Sequence, residues 1–150
     1  MKESSVSVAM LLDRKGRRVF SIAPEASVYS AIEKMAECGV GALVVLDRGR
    51  LAGIVSERDY TRKVILAGRS SRETAVGEIM STDVVFVSPA ETVGECLRMM
   101  SEHRVRHLPV VAGGAVAGVL SIGDLVKQVI AEQEETIGQL QSYIAGSYPT

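Results

Sequence analysis

A chain of 150 residues holds one ordinary domain, or two small modules that share a core. Its 47% apolar and 23% charged residues exclude a disordered chain, and a formal net charge of −1 excludes a global field that gathers nucleic acid or acidic membrane. With no Trp and 4% aromatic residues, the core falls to Val, Ile, Leu, Ala and Met.

The N-terminal stretch "MKESSVSVAMLLDRKGRR" has no long apolar run before a small-residue cleavage site, so it does not read as a signal peptide. No later run reaches the roughly 18–20 apolar residues that span a bilayer, and a cytoplasmic location is expected. The basic run from Asp13 to Arg18 reads as a solvated turn rather than a nucleic-acid arm. A short β run, "VFSI", then ends before Pro24, which cannot continue a ladder. Ser27 is placed to N-cap a helix with Val28, Ile32 and Met35 on one face. Two strands follow, "ALVVL" and "LAGIVS", joined by the turn "DRGR". A second helix starts near Asp59 and runs through "YTRKVIL", and a polar connector, "AGRSSRETAVGEIM", leads onward.

The chain then repeats itself. Shifted by about 65 positions, residues 19–65 match 84–130 without a gap, with roughly 15 identities in about 47 pairs. The pairs include Pro24 with Pro89, Met35 with Met100, Gly53 with Gly118, Ser56 with Ser121 and Asp59 with Asp124. In the second copy "VVFV" is the short β run and Thr92 the N-cap, with Val93, Leu97 and Met100 as the stripe. "LPVV" and "VAGVLS" are the strands around "AGGA", and the last helix begins near Asp124. That helix continues through "AEQEETIGQLQSYIAGS", where Ile137, Leu140 and Ile144 share a face suited to the body of the molecule, a second subunit or ordinary core packing. Cys38 and Cys96 sit in apolar segments without metal-ligand spacing and read as free thiols.

The fold class expected is α/β (α+β): two β-α-β-β-α repeats packed with pseudo-twofold symmetry, plus a C-terminal helix. The divisions are residues 8–66, a linker at 67–75, residues 76–131, and a helix and tail at 132–150. One such unit buries too little apolar area alone, and pairing two leaves two related clefts between them for a ligand.

At "SIAPEASV" and "VSPAETV", "VRHLPVV", "GIVSERDY" and "GVLSIGDL", and "VGEIMSTDVVFV", the chain resembles a pair of CBS domains, the tandem arrangement called a Bateman module. The resemblance implies a regulatory module that binds adenine nucleotides (AMP, ADP, ATP or NAD(H), or S-adenosylmethionine), without catalysis and without a required metal. It is similar to small stand-alone bacterial CBS-pair proteins. That implies a homodimer acting on an unidentified regulated protein, with neither nucleic acid nor membrane as partner.

The residues fit such a ligand. A ribose offers two vicinal hydroxyls, and an ionised carboxylate accepts both, which is the role expected of Asp59 and Asp124. Ser56 and Ser121 lie three residues earlier and reach the same ligand, although Ser and Asp at this spacing also form helix caps. Gly53 and Gly118, inside strands, mark close backbone approaches, as do Gly41 and Ala42 at a strand start. The resemblance places Arg106 and His107, just before Pro109, against phosphate, with Arg58 as a further basic residue. Gly123 stands where the first copy has Arg58. Arg58, Arg106 and His107 are expected to converge on the Asp59 cleft, leaving the Asp124 cleft, beside Gly41 and Ala42, poorer in charge. An enzyme is disfavoured because no nucleophile elbow, P-loop or metal-ligand cluster is visible. The remaining alternative is a ligand-silent dimerising scaffold.

Overall fold

The structure is a computed structural model and describes residues 4–144. Helix α2 (Val28–Cys38) begins where the Ser27 hydroxyl accepts the Ser30 amide, and it ends on Gly39 in the left-handed region at φ 66°. Helix α5 (Val93–His103) repeats this with Thr92 and Glu95 in a reciprocal capping box. Its left-handed terminal residue is Arg104, at φ 55°. Both expected stripes face inward: Val28, Met35, Val93 and Met100 are buried, and Ile32 and Leu97 pack partly buried beside them.

Each helix leads into a hairpin. Strand β2 (Ala42–Asp47) pairs antiparallel with β3 (Arg50–Ser56), and β4 (His107–Ala112) with β5 (Ala115–Ser121). Arg48 and Gly49 have φ 52° and 80°, and Gly113 and Gly114 have φ 60° and 80°, so both two-residue turns need positive φ twice. A bulge falls after Val45 in one hairpin and after Val110 in the other, matching positions of the two copies. The short β runs differ. Residues Ser21–Ile22 form β1, parallel to β2, whereas "VVFV" contributes a single parallel bridge from Val87 to Val110.

The copies exchange their leading segments. Helix α1 (Val8–Lys15), which the division at 8–66 assigns to the first repeat, packs into the core of the second. Val8, Leu11 and Leu12 lie there among Val87, Val93, Met100, Leu108 and Leu120. The Val8 amide donates to the Glu91 carbonyl at 2.7 Å, and the Val93 amide donates to the Val6 carbonyl at 2.8 Å. Helix α4 (Val76–Ile79), at the head of the second repeat's division at 76–131, closes the first in the same way. Its Gly77 amide donates to the Pro24 carbonyl at 2.9 Å, and the Val28 amide donates to the Thr74 carbonyl at 2.8 Å.

These crossings explain Gly53 and Gly118. A Cβ on Gly53 would sit 2.7 Å from the Ser81 carbonyl oxygen, in the segment that crosses to the first repeat. A Cβ on Gly118 would sit 2.8 Å from a methyl of Leu12. The close approaches expected at both glycines are real, and what approaches is protein.

The closing helices diverge. After β3 comes one turn, α3 (Glu57–Tyr60), then a π-helical turn at Thr61–Ile65. After β5 comes α6 (Ile122–Ile144), 23 residues and about 34 Å long. Leu125 and Gln128 are buried beneath it, but every described residue from Gln133 onward is exposed, including Ile137, Leu140 and Ile144. Its outer stripe therefore belongs neither to the core nor to a face docked on the body. Among the described residues no helix is long and apolar enough to cross a membrane, and both cysteines are free thiols, with Cys96 buried.

Candidate functional site

Each serine–aspartate pair is built at the junction of strand and helix. At the first, the Ser56 hydroxyl accepts the Asp59 amide at 3.1 Å, and Asp59 Oδ2 accepts the Ser56 amide at 2.9 Å. At the second, the Ser121 hydroxyl accepts the Asp124 amide at 3.1 Å and Asp124 Oδ2 accepts the Ser121 amide at 2.8 Å. Capping is thus a real function of both pairs, and it commits only one carboxylate oxygen of each aspartate.

The other oxygens differ. Asp59 Oδ1 is paired with Lys63 Nζ at 3.2 Å, one turn along, and Lys63 also donates to the Ile79 carbonyl at 2.8 Å. Position 128 of the second copy, equivalent to Lys63, is Gln128, which accepts from Arg14 at 3.1 Å. There the cation comes from α1: Lys15 Nζ lies 2.5 Å from Asp124 Oδ2 and also donates to the Val119 carbonyl. The Lys15 contact and the Ser121 amide contact both fall on Oδ2, and Asp124 Oδ1 takes no part in them.

Asp124 opens onto a cavity of about 400 Å³. Its apolar wall includes Phe20, Val40, Ala42 and Val119, and its polar lining includes Lys15, Arg18, His107, Ser121 and Asp124. That volume and mix of surfaces suit a small organic ligand oriented by a few polar groups. An adjoining depression of about 350 Å³ shares Gly39, Val40 and Gly41 with it and extends along Ile32, Met35 and Ala36.

Gly41, Ala42, Ser121 and Asp124 therefore meet in one cleft, as expected from repeats that wall each other's sites. His107 is a correction. Expected at Asp59, it lines the Asp124 cleft, and a Cβ on Gly41 would be 3.6 Å from its ring. The small Gly41 and Ala42 leave room for the imidazole to cross from the second repeat toward the first. The charge of this cleft is a second correction. Lys15 and Arg18 line it, delivered by the exchanged N-terminal segment, so it is not the charge-poor site. Within the run read as a solvated turn, only the Arg17–Asp13 pair is of that kind, with both side chains at least half exposed.

The other candidates lie apart from the cavity. Arg58 reaches the Arg104 carbonyl of the second repeat at 3.5 Å, and Arg106 is exposed. Pro109 is buried in β4 with its carbonyl accepting the Val87 amide at 3.0 Å. Gly123 is in the first turn of α6, where an added Cβ would meet only the Ser121 hydroxyl at 3.6 Å. Lys15 and Arg18 were missed because they precede the aligned repeat, and Phe20 because its repeat partner is Val85, which shares no aromatic character with it. The one available signal was a lysine and two arginines just before "VFSI".

The electrostatics follow from burial and pairing. Burial pushes the Asp124 carboxyl up, but the Lys15 ammonium and the Ser121 amide outweigh it and hold the group below the usual carboxylate range. Burial, reinforced by Lys15 and Arg106 and opposed by Asp124, holds the His107 imidazole below its ordinary value, so at neutral pH it is uncharged. Among the described residues no three His, Cys, Asp or Glu side chains converge as metal ligands.

The chain is similar to a mitochondrial CBS domain-containing protein, CBSX3, of Arabidopsis thaliana: 42% identical over 127 residues, 81% of this chain and 62% of that protein's length. A solved protein with CBS domains from Burkholderia ambifaria superposes with a TM-score of 0.82 at 50% identity, covering 85% of this chain and 96% of its own. The CBS-domain pair of protein MJ0100, solved in complex with 5′-methylthioadenosine and S-adenosyl-L-methionine, matches with a TM-score of 0.76 at 20% identity over 85% of this chain and 98% of that one, a likeness of fold. The family model of the CBS domain matches twice, at residues 15–65 and 76–131, once on each half of the duplication. With both repeats matched and the hairpins, caps and exchanged helices in register, the chain belongs to the CBS-domain family, as a tandem pair.

Proposed function

We propose that this CBS pair is a non-catalytic sensor that binds an adenine nucleotide in the Asp124 cleft and conveys its occupancy to a partner protein. The observation that carries this reading is Asp124 itself. Its carboxylate is anchored through Oδ2, leaves Oδ1 out of that anchoring and stands at the rim of a cavity with an aliphatic wall and two cations. A ribose diol needs the carboxylate, an adenine ring needs the apolar wall, and a phosphate needs Lys15 or Arg18. The adenosine ligands of MJ0100 support the same class of molecule. AMP, ADP, ATP and NAD(H) all satisfy these demands. Asp59, with Arg58 nearby, is the second cleft of the pair.

The test is calorimetry on Asp124→Ala. Nucleotide binding in this cleft should weaken by about 1.5–3 kcal/mol, the scale of a charge-assisted hydrogen bond. Losing the cap costs about 1 kcal/mol of stability as well. Affinity measured on protein shown to be folded separates the two effects. Unchanged affinity would sink the ribose assignment. A thermal-shift screen with AMP, ADP, ATP, NAD, NADH and S-adenosylmethionine that moves nothing would favour the ligand-silent scaffold.

The proposed assembly is a homodimer. Its support is α6, which leaves the body after Glu132 with Ile137, Leu140 and Ile144 exposed at heptad-like spacing.

A further inference from the structure

Lys15 sits where two requirements of the Asp124 cleft conflict. Asp124 Oδ2 already accepts the Ser121 amide at 2.8 Å and Lys15 at 2.5 Å, which commits both of its lone-pair directions. A vicinal diol needs two acceptors. With the diol bridged across the carboxylate in bidentate fashion, one hydroxyl falls on Oδ1 and the other on Oδ2, where Lys15 stands. A ribose that takes both oxygens therefore displaces the ammonium from the carboxylate.

We propose that Lys15 makes this cleft select phosphorylated adenosine ligands over unphosphorylated ones, by passing from Asp124 to the ligand's phosphate as the ribose takes its place. This inference rests on the adenosine reading of the cleft. An ammonium displaced from Asp124 keeps the Val119 carbonyl and the solvent at its 34% exposed side chain, but it loses its ion pair unless a new anion meets it. A phosphate supplies that anion and a bare nucleoside does not. The lysine cannot simply withdraw, because α1 is fixed by Val8, Leu11 and Leu12 in the second core and only the side chain can swing. Arg18, 5.6 Å from the Phe20 ring centre, adds a second cation on the same wall. The arrangement belongs to this cleft. At Asp59 the cation is Lys63 on the same closing helix and held to the Ile79 carbonyl, whereas at Asp124 it arrives from another segment of the chain.

The experiment compares AMP with adenosine by calorimetry on the full chain as wild type, Lys15→Gln and Lys15→Arg. Asp124→Asn, which keeps an acceptor for the cap, identifies the heat that belongs to this cleft. The wild type should prefer AMP. Lys15→Gln should weaken AMP about tenfold or more while adenosine binds as well as before or better, and Lys15→Arg should retain the preference. Adenosine binding serves as the control for an intact cleft. If Lys15→Gln leaves the AMP-to-adenosine ratio unchanged, or lowers both affinities together, Lys15 is not the selecting residue, although the nucleotide reading stands. If wild-type protein binds neither compound in this cleft, the nucleotide reading and the lysine exchange fall together.

Discussion

Gly53 and Gly118 occupy equivalent positions in β3 and β5, yet a methyl group would meet different obstacles at each. At Gly53 it would strike the Ser81 carbonyl oxygen, held by paired backbone hydrogen bonds between Ile54 and Ser81. At Gly118 it would strike a Leu12 methyl, which can turn aside within its core. Gly53→Ala should therefore cost about 1–3 kcal/mol and Gly118→Ala clearly less. Urea unfolding midpoints measure both, and equal losses would contradict the distinction between rigid backbone and yielding side chain. At this scale the chain was largely legible. Ser27 and Thr92 cap as their types predict, and Ser56–Asp59 and Ser121–Asp124 cap while leaving an oxygen for other use. What a single position cannot reveal is its neighbour from far along the chain, which is why His107 was expected at Asp59 and Lys15 was not singled out.

Among the elements, α1 and α4 show how an internal repeat conceals an exchange. Each leading helix is adjacent in sequence to one repeat, yet its apolar side chains lie in the core of the other: Val8, Leu11 and Leu12 in the second, Val76 and Ile79 in the first. Leu12 lies near the start of the division at 8–66 and is wholly buried in the second core. Leu12→Ala should cost about 2–5 kcal/mol through the cavity it leaves. Amide exchange should then rise in β4 and β5 before β2 and β3. Earlier loss of protection in β2 and β3 would mean that α1 supports the first repeat after all. The two-residue hairpin turns, by contrast, were readable from "DRGR" and "AGGA", because positive φ at adjacent residues is a local demand.

At the scale of the molecule, among the described residues, the apolar stripe of Ile137, Leu140 and Ile144 on α6 stands exposed. Ile137→Glu combined with Leu140→Glu should convert a wild-type dimer into a monomer in sedimentation equilibrium, with little change in unfolding midpoint, since both side chains are more than half exposed. A monomeric wild type would remove the dimer proposal. The sequence alone determined the duplication, the helix, hairpin and closing helix of each copy, the caps, the turns and the facing stripes, because each depends on residues within a few positions or on a repeat that can be aligned with itself. Only the tertiary structure decided which leading helix closes which core, which side of the pseudo-twofold His107 enters, and which cation meets Asp124. Those outcomes depend on packing between segments more than 100 residues apart in the case of Lys15 and Asp124, and no local pattern encodes which of two similar halves a segment will join.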